Sequence, residues 1–188
     1  MTPYRRIRRG IHPIVLAIVG VLMLAVVAIS VVKREREMVA RPDDLAIVYH
    51  WSAGALPPPY HFKYEVLVGP HLRGEIVLSP EGGGYQPPTW RQSFAVDEDD
   101  LAALYTLMRR VGVFSKQWFE NFPMAVGGQA EWLEVTAYGR HYVVPPSIRD
   151  SGAMTDVYDA VRALVPADLW DELAARREQF ERDYESDR

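Results

Sequence analysis

The sequence predicts an α+β fold: an antiparallel sheet with helices packed on one face, preceded by a single N-terminal transmembrane helix. Three patterns predict it: one uncharged apolar run, short runs that alternate apolar and polar residues, and amphipathic helical runs. Their order is strands, one helix, two strands and two helices, which favours α+β. A βαβ repeat with a parallel sheet is the alternative. It would need a glycine-rich turn that follows a strand and opens a helix, and the sequence has none.

The first element is the apolar run from Ile14 to Val32. It has 19 residues without a charge, and its only polar side chain is that of Ser30. As a helix it would be about 28 Å long, close to the roughly 30 Å hydrocarbon layer of a bilayer. A buried core helix and a cleaved targeting peptide are the alternatives. The length of the run and the poor cleavage sequence Ala28-Ile29-Ser30 favour an uncleaved signal anchor in the lipid bilayer.

This helix divides the chain into four parts. Residues 1–13 form a basic tail, 14–32 the transmembrane helix, 33–44 a charged linker, and 45–188 a soluble α+β domain with a C-terminal amphipathic helix. Four basic residues lie on each side of the helix, so their count does not decide the orientation. The free amino terminus favours a cytoplasmic N-terminus. We therefore expect a single-pass membrane protein whose soluble domain lies outside the cytoplasm.

Charge excludes one class of partner. From Asp43 to Arg188 there are 13 Lys and Arg against 23 Asp and Glu, a net charge of −10. Such a domain repels phosphate backbones, and we therefore expect no nucleic-acid partner. The basic residues beside the apolar run suit anionic lipid headgroups instead. The absence of cysteine excludes disulfides, thiolate chemistry and cysteine-ligated metals.

Four strands are predicted before the first helix of the domain. The run Tyr60–Val68 is the clearest, because apolar side chains alternate with polar ones along it, as in a half-buried strand. Loops rich in glycine and proline separate the runs. The four predicted strands are Leu45–Trp51, Tyr60–Val68, Glu75–Ser79 and Thr89–Val96.

The remaining elements have recognisable ends. Asp97 is a good N-cap for a helix that should stop at Gly112. A hairpin is predicted around Tyr138-Gly139-Arg140. Two further helices should follow, Met154–Val165 and Ala167 to about Glu185, with Pro166 between them.

No motif predicts a catalytic, cofactor-binding or metal-binding residue. The acidic run Asp97–Asp100 suits the positive end of a helix dipole better than a metal site. The histidines have no metal-ligand spacing and are expected to be scattered; they are His50, His61, His71 and His141. The triple glycine Gly82–Gly84 lacks the lysine of a phosphate-binding loop, and no Gly-x-Ser-x-Gly elbow exists. The sequence therefore favours a non-enzyme without a cofactor.

Two aromatic sets are candidates for binding a partner. One lies before and within the predicted hairpin, where the rings either line an interface or fill the core under a long loop. The other lies on the last helix, which either packs on its own sheet or docks a partner. The candidate partner-binding residues are Trp118, Phe119, Phe122, Trp132, Phe180 and Tyr184.

A set of short motifs resembles a known family. Tyr49-x-x-Ser52-x-Gly54 follows the first strand, and Leu101-x-x-Leu104 precedes Phe114. Leu133-x-Val135 and Gly139-Arg140-x-x-Val143 then form the hairpin. This layout is similar to the small α+β module of emfourin-type proteins, proposed inhibitors of thermolysin-like metalloproteases. This chain has Ala53-Gly54 where that family has Gly-Gly, and an additional triple-proline loop. The resemblance implies the α+β fold.

Three functional hypotheses follow. The leading one is a membrane-anchored, non-catalytic domain that binds a protein partner at the cell envelope, as an accessory subunit of a membrane complex. It rests on a strong anchor combined with no recognisable catalytic constellation. The second is a small envelope hydrolase or ligand-binding enzyme with a carboxylate/histidine site. The third is a protease-inhibitor-like module.

Overall fold

The computed structural model describes residues 41–80, 87–119, 128–146 and 151–187. All of them belong to one compact unit, 41–188. The predicted transmembrane helix Ile14–Val32, the basic tail and the linker up to residue 40 lie outside the described residues. Among the helices that are described, none is both long and apolar enough to cross a bilayer.

Six strands form one sheet in the order β4-β3-β2-β1-β5-β6, and every neighbouring pair is antiparallel. The α+β prediction is thus confirmed, and the parallel alternative is wrong. The strands are β1 Ala46–Ser52, β2 Phe62–Val68, β3 Arg73–Pro80, β4 Trp90–Ala95, β5 Ala130–Ala137 and β6 Arg140–Val144. The helices are α1 Glu98–Val111, α2 Ser151–Ala163 and α3 Ala167–Ser186.

The alternation predicted from the sequence separates two faces of the sheet. On the inner face, Tyr49 pairs with Val66 and Leu133 on the neighbouring strands, and all three side chains are buried. The helices meet this face: Arg162 bonds Tyr49 and Glu131, and Phe180 packs on Trp90. The outer face carries His50, Glu65, Trp132, Glu134, His141 and Val143, which the registers place on the opposite side.

The ends of α1 are where its sequence predicts them. The Asp97 carboxylate accepts hydrogen bonds from the amides of Asp99, at 2.8 Å, and Asp100, at 3.3 Å. Gly112 ends the helix with φ 96°, a left-handed conformation that glycine adopts without strain. The Val113 amide donates to the Met108 carbonyl at 2.9 Å, and Val113 is buried. The helix therefore closes with a Schellman-type cap.

The last helix lies against the domain along most of its length. Leu173 is fully buried, and the ring of Phe180 packs edge-on against Trp90 with centroids 6.4 Å apart. Near the end of the helix, the Tyr60 hydroxyl donates to Glu185. These contacts join the second half of α3 to β4 and to the residues before β2.

The chain enters the unit through its central strand. Asp44, just before β1, accepts hydrogen bonds from the amides of Tyr138, at 2.8 Å, and Gly139, at 2.5 Å, in the β5–β6 turn. Arg41 donates to the Pro70 carbonyl in the β2–β3 turn at 3.5 Å. These turns lie at one end of the sheet. Trp51 and Ser52 lie at the other.

Candidate functional site

A cavity of about 370 Å³ lies at the end of the sheet that is distant from Arg41, between the inner face and the two C-terminal helices. Strands β1, β2, β3 and β5 supply its floor, and α2 and α3 supply its wall. Its lining residues are Trp51, Phe62, Tyr64, Leu78, Gln129, Glu131, Arg162, Trp170, Leu173, Ala174 and Arg177. A volume of this size is at the lower end of small-molecule sites, which span about 300–1,000 Å³.

One side of the cavity is a network of polar groups centred on Arg162. Its Nη1 donates to the Tyr49 hydroxyl at 2.6 Å and to Glu131 Oε1 at 2.9 Å. Its Nη2 donates to Asp159, one turn earlier in α2. The side chains of Arg162 and Glu131 are 29% and 17% exposed, so this ion pair is only partly screened by water.

Burial raises the pKa of the nearby phenols, which are uncharged at neutral pH. It raises the pKa of Tyr49 far above the ordinary value, and it also raises those of Tyr64 and Tyr158. A neutral Tyr49 hydroxyl can accept the hydrogen bond from Arg162 and still donate one. The cavity therefore presents one carboxylate, Glu131, and two guanidinium groups, Arg162 and Arg177, beside uncharged rings.

The other side of the cavity is aromatic. Trp51 stacks on Tyr64 with centroids 5.1 Å apart and an interplanar angle of 15°. The edge of Trp170 meets Tyr64 at 5.0 Å, and its Nε1 donates to the Arg162 carbonyl at 3.3 Å. The Arg177 guanidinium lies over the ring of Phe62, 4.5 Å from its centroid. The rings of Phe62, Trp51, Tyr64 and Trp170 thus contact one another in sequence across strands β1 and β2 and helix α3.

Two glycines, Gly54 and Gly128, allow a close backbone contact between two chain segments beside the cavity. Gly54, just after β1, has φ 78°, and a Cβ at this position would lie 1.9 Å from the carbonyl oxygen of Gly128. Gly128 directly precedes Gln129, one of the lining residues. Only glycine allows this close approach of two backbones, so Gly54 helps to set the position of the segment that leads into β5.

A second group of polar residues crosses the outer face. His50 lies between two carboxylates, with Nδ1 3.2 Å from Glu65 Oε1 and Nε2 3.4 Å from Glu134 Oε1. The other oxygen of Glu134 lies 3.3 Å from Nε2 of His141. The ring of Trp132 stacks on His50 at 4.5 Å with an interplanar angle of 7°. The prediction of scattered histidines is therefore wrong for His50 and His141, because the sheet register brings both to Glu134.

This row of residues does not have the form of a metal centre or an enclosed active site. In the part of the chain that is described, no group of three His, Asp or Glu side chains is arranged to hold a metal ion. Neither of the two described clefts is lined by His50 or His141. The second cleft, of about 490 Å³, lies near the β2–β3 turn and is lined by Leu67, Gly69, Arg73, Gly74, Glu75, Ser93, Phe94 and Ala95.

The predicted partner-binding residues lie in three places. Trp118 packs against the core while Phe119 beside it is 63% exposed. Trp132 lies on the outer face. Phe180 contacts Trp90 and Tyr184 on the side of α3 that faces the sheet. Phe122 lies outside the described residues. The structure does not bring the described members of this set into one surface.

No protein-family model and no curated protein matches this sequence. The functional interpretation therefore rests on the residues themselves. The cavity residues were not among the predicted site residues. Tyr49 and Arg162 are 113 positions apart, and neither belongs to a motif that predicts a site. The only signal was their residue types: an arginine and several aromatic residues at the predicted ends of strands and helices.

Proposed function

We propose that the protein is a single-pass membrane protein whose 45–188 domain is not catalytic and binds a protein partner at the cell envelope. The anchor would be the uncharged run Ile14–Val32, which matches the thickness of a bilayer. The domain would lie outside the cytoplasm, and the protein would act as an accessory subunit of a membrane complex.

The observation that carries the binding role is the outer face of the sheet. It combines a tryptophan, a row of charged residues and the exposed apolar side chain of Val143, 48% accessible. Protein interfaces are rich in aromatic residues at their centre and polar at their rim. On the outer face Trp132 would form that centre, and Glu65 and His141 would lie around it.

Site-specific photo-cross-linking in the native membrane tests this role. A photoreactive residue at Val143 should give one discrete adduct of higher mass. The same residue at Ala103, exposed on α1, should give none, and Trp132→Ala should reduce the adduct at Val143. Identical adducts from both positions, or only background at Val143, would contradict the proposal.

The enzyme and inhibitor hypotheses make different predictions. His50 and His141 do converge with carboxylates, as a hydrolase site would require, but on an open strand surface. If the domain were a hydrolase, His50→Ala would abolish turnover of an ester or peptide substrate without reducing the cross-link. If it were an inhibitor like the emfourin-type proteins it resembles, the purified protein would lower the activity of a thermolysin-like protease.

A further inference from the structure

We propose that the inner-face cavity binds an uncharged saccharide of one or two sugar rings. This site is separate from the outer face and does not depend on the protein-binding role. It is argued from the charges, the polar groups and the rings that line the cavity.

The charged groups that line the cavity have carboxylate neighbours. Arg162 is paired with Glu131 at 2.9 Å and with Asp159, while Arg177 Nε lies 3.2 Å from a carboxylate oxygen of Glu181 without a hydrogen bond. A phosphate or carboxylate would lie beside the carboxylates of Glu131, Asp159 and Glu181, and an amine would lie beside two guanidinium groups, so a ligand of either charge meets like charge in a partly buried site. The net charge of −10 between Asp43 and Arg188 adds a general repulsion of anions. The site therefore favours an uncharged ligand.

A fully apolar ligand is as unfavourable as a charged one. It would remove water from Glu131, Arg162 and the amide of Gln129 without replacing the lost hydrogen bonds. A ligand with hydroxyl groups avoids this cost, because a hydroxyl can donate to the Glu131 carboxylate and accept from the Gln129 amide. The polar side of the cavity thus favours a ligand that carries several hydroxyls.

The aromatic side of the cavity suits the apolar face of a sugar. A sugar ring has a face of C–H groups that packs well on flat rings, and hydroxyls around its edge. Trp51 and Trp170, both in contact with Tyr64, supply the rings opposite the polar side. With about 370 Å³ available, one or two sugar rings can be accommodated.

Saturation-transfer NMR on the full-length protein tests the proposal. The protein is held in a sugar-free zwitterionic detergent, since alkyl glycosides carry the group being tested. The probes are maltose, cellobiose and N,N′-diacetylchitobiose. At least one should bind saturably, and Trp51→Ala should weaken that binding about tenfold. The matched control Trp132→Ala alters the tryptophan on the other face and should change it less than about twofold.

A second variant keeps the test decisive if Trp51→Ala does not fold. Gln129 is exposed at the rim, so Gln129→Ala should leave the fold intact and weaken binding about threefold through one lost hydrogen bond. Absence of binding by all three probes would overturn the proposal. Equal losses from Trp51→Ala and Trp132→Ala would overturn it too. The cross-link at Val143 is independent of these results, so failure of one proposal is distinguishable from failure of the other.

Discussion

Arg162 joins the second helix to the sheet through side chains on three elements. It contacts Tyr49 on β1 and Glu131 on β5, and it lies beside Asp159 in its own helix. Hydrogen bonds to charged groups contribute more than neutral ones, and their loss leaves the partners unsatisfied. The residue should therefore matter for stability whether or not the cavity holds a ligand.

Arg162→Met should lower the free energy of unfolding by about 2–3 kcal/mol, because Glu131 and Tyr49 lose their shared donor. Urea denaturation of the wild type and the variant measures the difference. Arg182→Ala is the control, since its ion pair with Glu178 is 60% exposed on both sides and should contribute less than about 1 kcal/mol. Equal changes in the free energy of unfolding for the two variants would show that the Arg162 network stabilises the fold no more than an exposed ion pair does.

Asp44 should make stability depend on acid pH. Hydrogen bonds from the Gly139 and Tyr138 amides hold its pKa below the ordinary value of 3.8. A carboxyl group with a lowered pKa in the folded state stabilises above its unfolded pKa, and this contribution disappears as pH falls through the folded pKa.

The stability difference between wild type and Asp44→Asn should accordingly be largest near neutral pH and shrink below about pH 4. Urea midpoints measured between about pH 7 and pH 3 would show it. Asp43→Asn is the neighbouring control, because Asp43 is exposed. A difference that stays constant across this range would argue against the role of the Asp44 carboxylate.

The sequence predicts the roles of residues that depend on nearby positions, but not contacts between residues far apart in the chain. Asp97 and Gly112 were assigned correctly, because a helix cap depends on neighbours within a few positions. The contacts Tyr49–Arg162 and His50–Glu134–His141 depend instead on which strands pair and in which register. Residue types along one chain do not specify that pairing, so neither polar cluster could be predicted.

At the scale of elements, the order of strands and helices was correct, and most boundaries agree within one or two residues. The second strand was predicted from Tyr60 but begins at Phe62, because the Tyr60 amide bonds the Pro57 carbonyl in a turn. The second helix begins at Ser151 rather than Met154. Periodicity locates the middle of an element well and its first turn poorly.

The contact between the segments after β1 and before β5 should be sensitive to one methyl group. Gly54→Ala should lower the free energy of unfolding by about 2 kcal/mol or more, because the left-handed backbone and the Gly128 carbonyl both oppose a Cβ. Gly152→Ala is the matched control: it lies in α2, where a Cβ would have no neighbouring atom within 4 Å. It should be neutral or stabilising by about 0.5 kcal/mol. Thermal or urea unfolding of both variants would check this, and a neutral Gly54→Ala would show that the loop can shift.

For the whole molecule, the main expectation is a membrane protein with its domain outside the cytoplasm. The chain has no cysteine, so a single cysteine can be introduced and labelled without background. In intact cells, a membrane-impermeant maleimide should label Ser115→Cys, exposed after α1, and should not label Thr2→Cys until the cells are permeabilised. The reverse pattern would place the domain in the cytoplasm, and release of the intact chain by carbonate washing would contradict the anchor itself.

The position of β1 gives the domain a mechanical property. The chain reaches this strand directly from residues 41–45, and β1 is bonded along its length to β2 on one side and β5 on the other. If the domain were held beyond the opposite end of β1, tension applied at Arg41 would act along the strand and load the hydrogen bonds to β2 and β5 together in shear. An edge strand in the same position would peel away at lower force. With the proposed anchor at Ile14–Val32, the domain would be pulled through this middle strand and would resist unfolding better than if it were pulled through an edge strand.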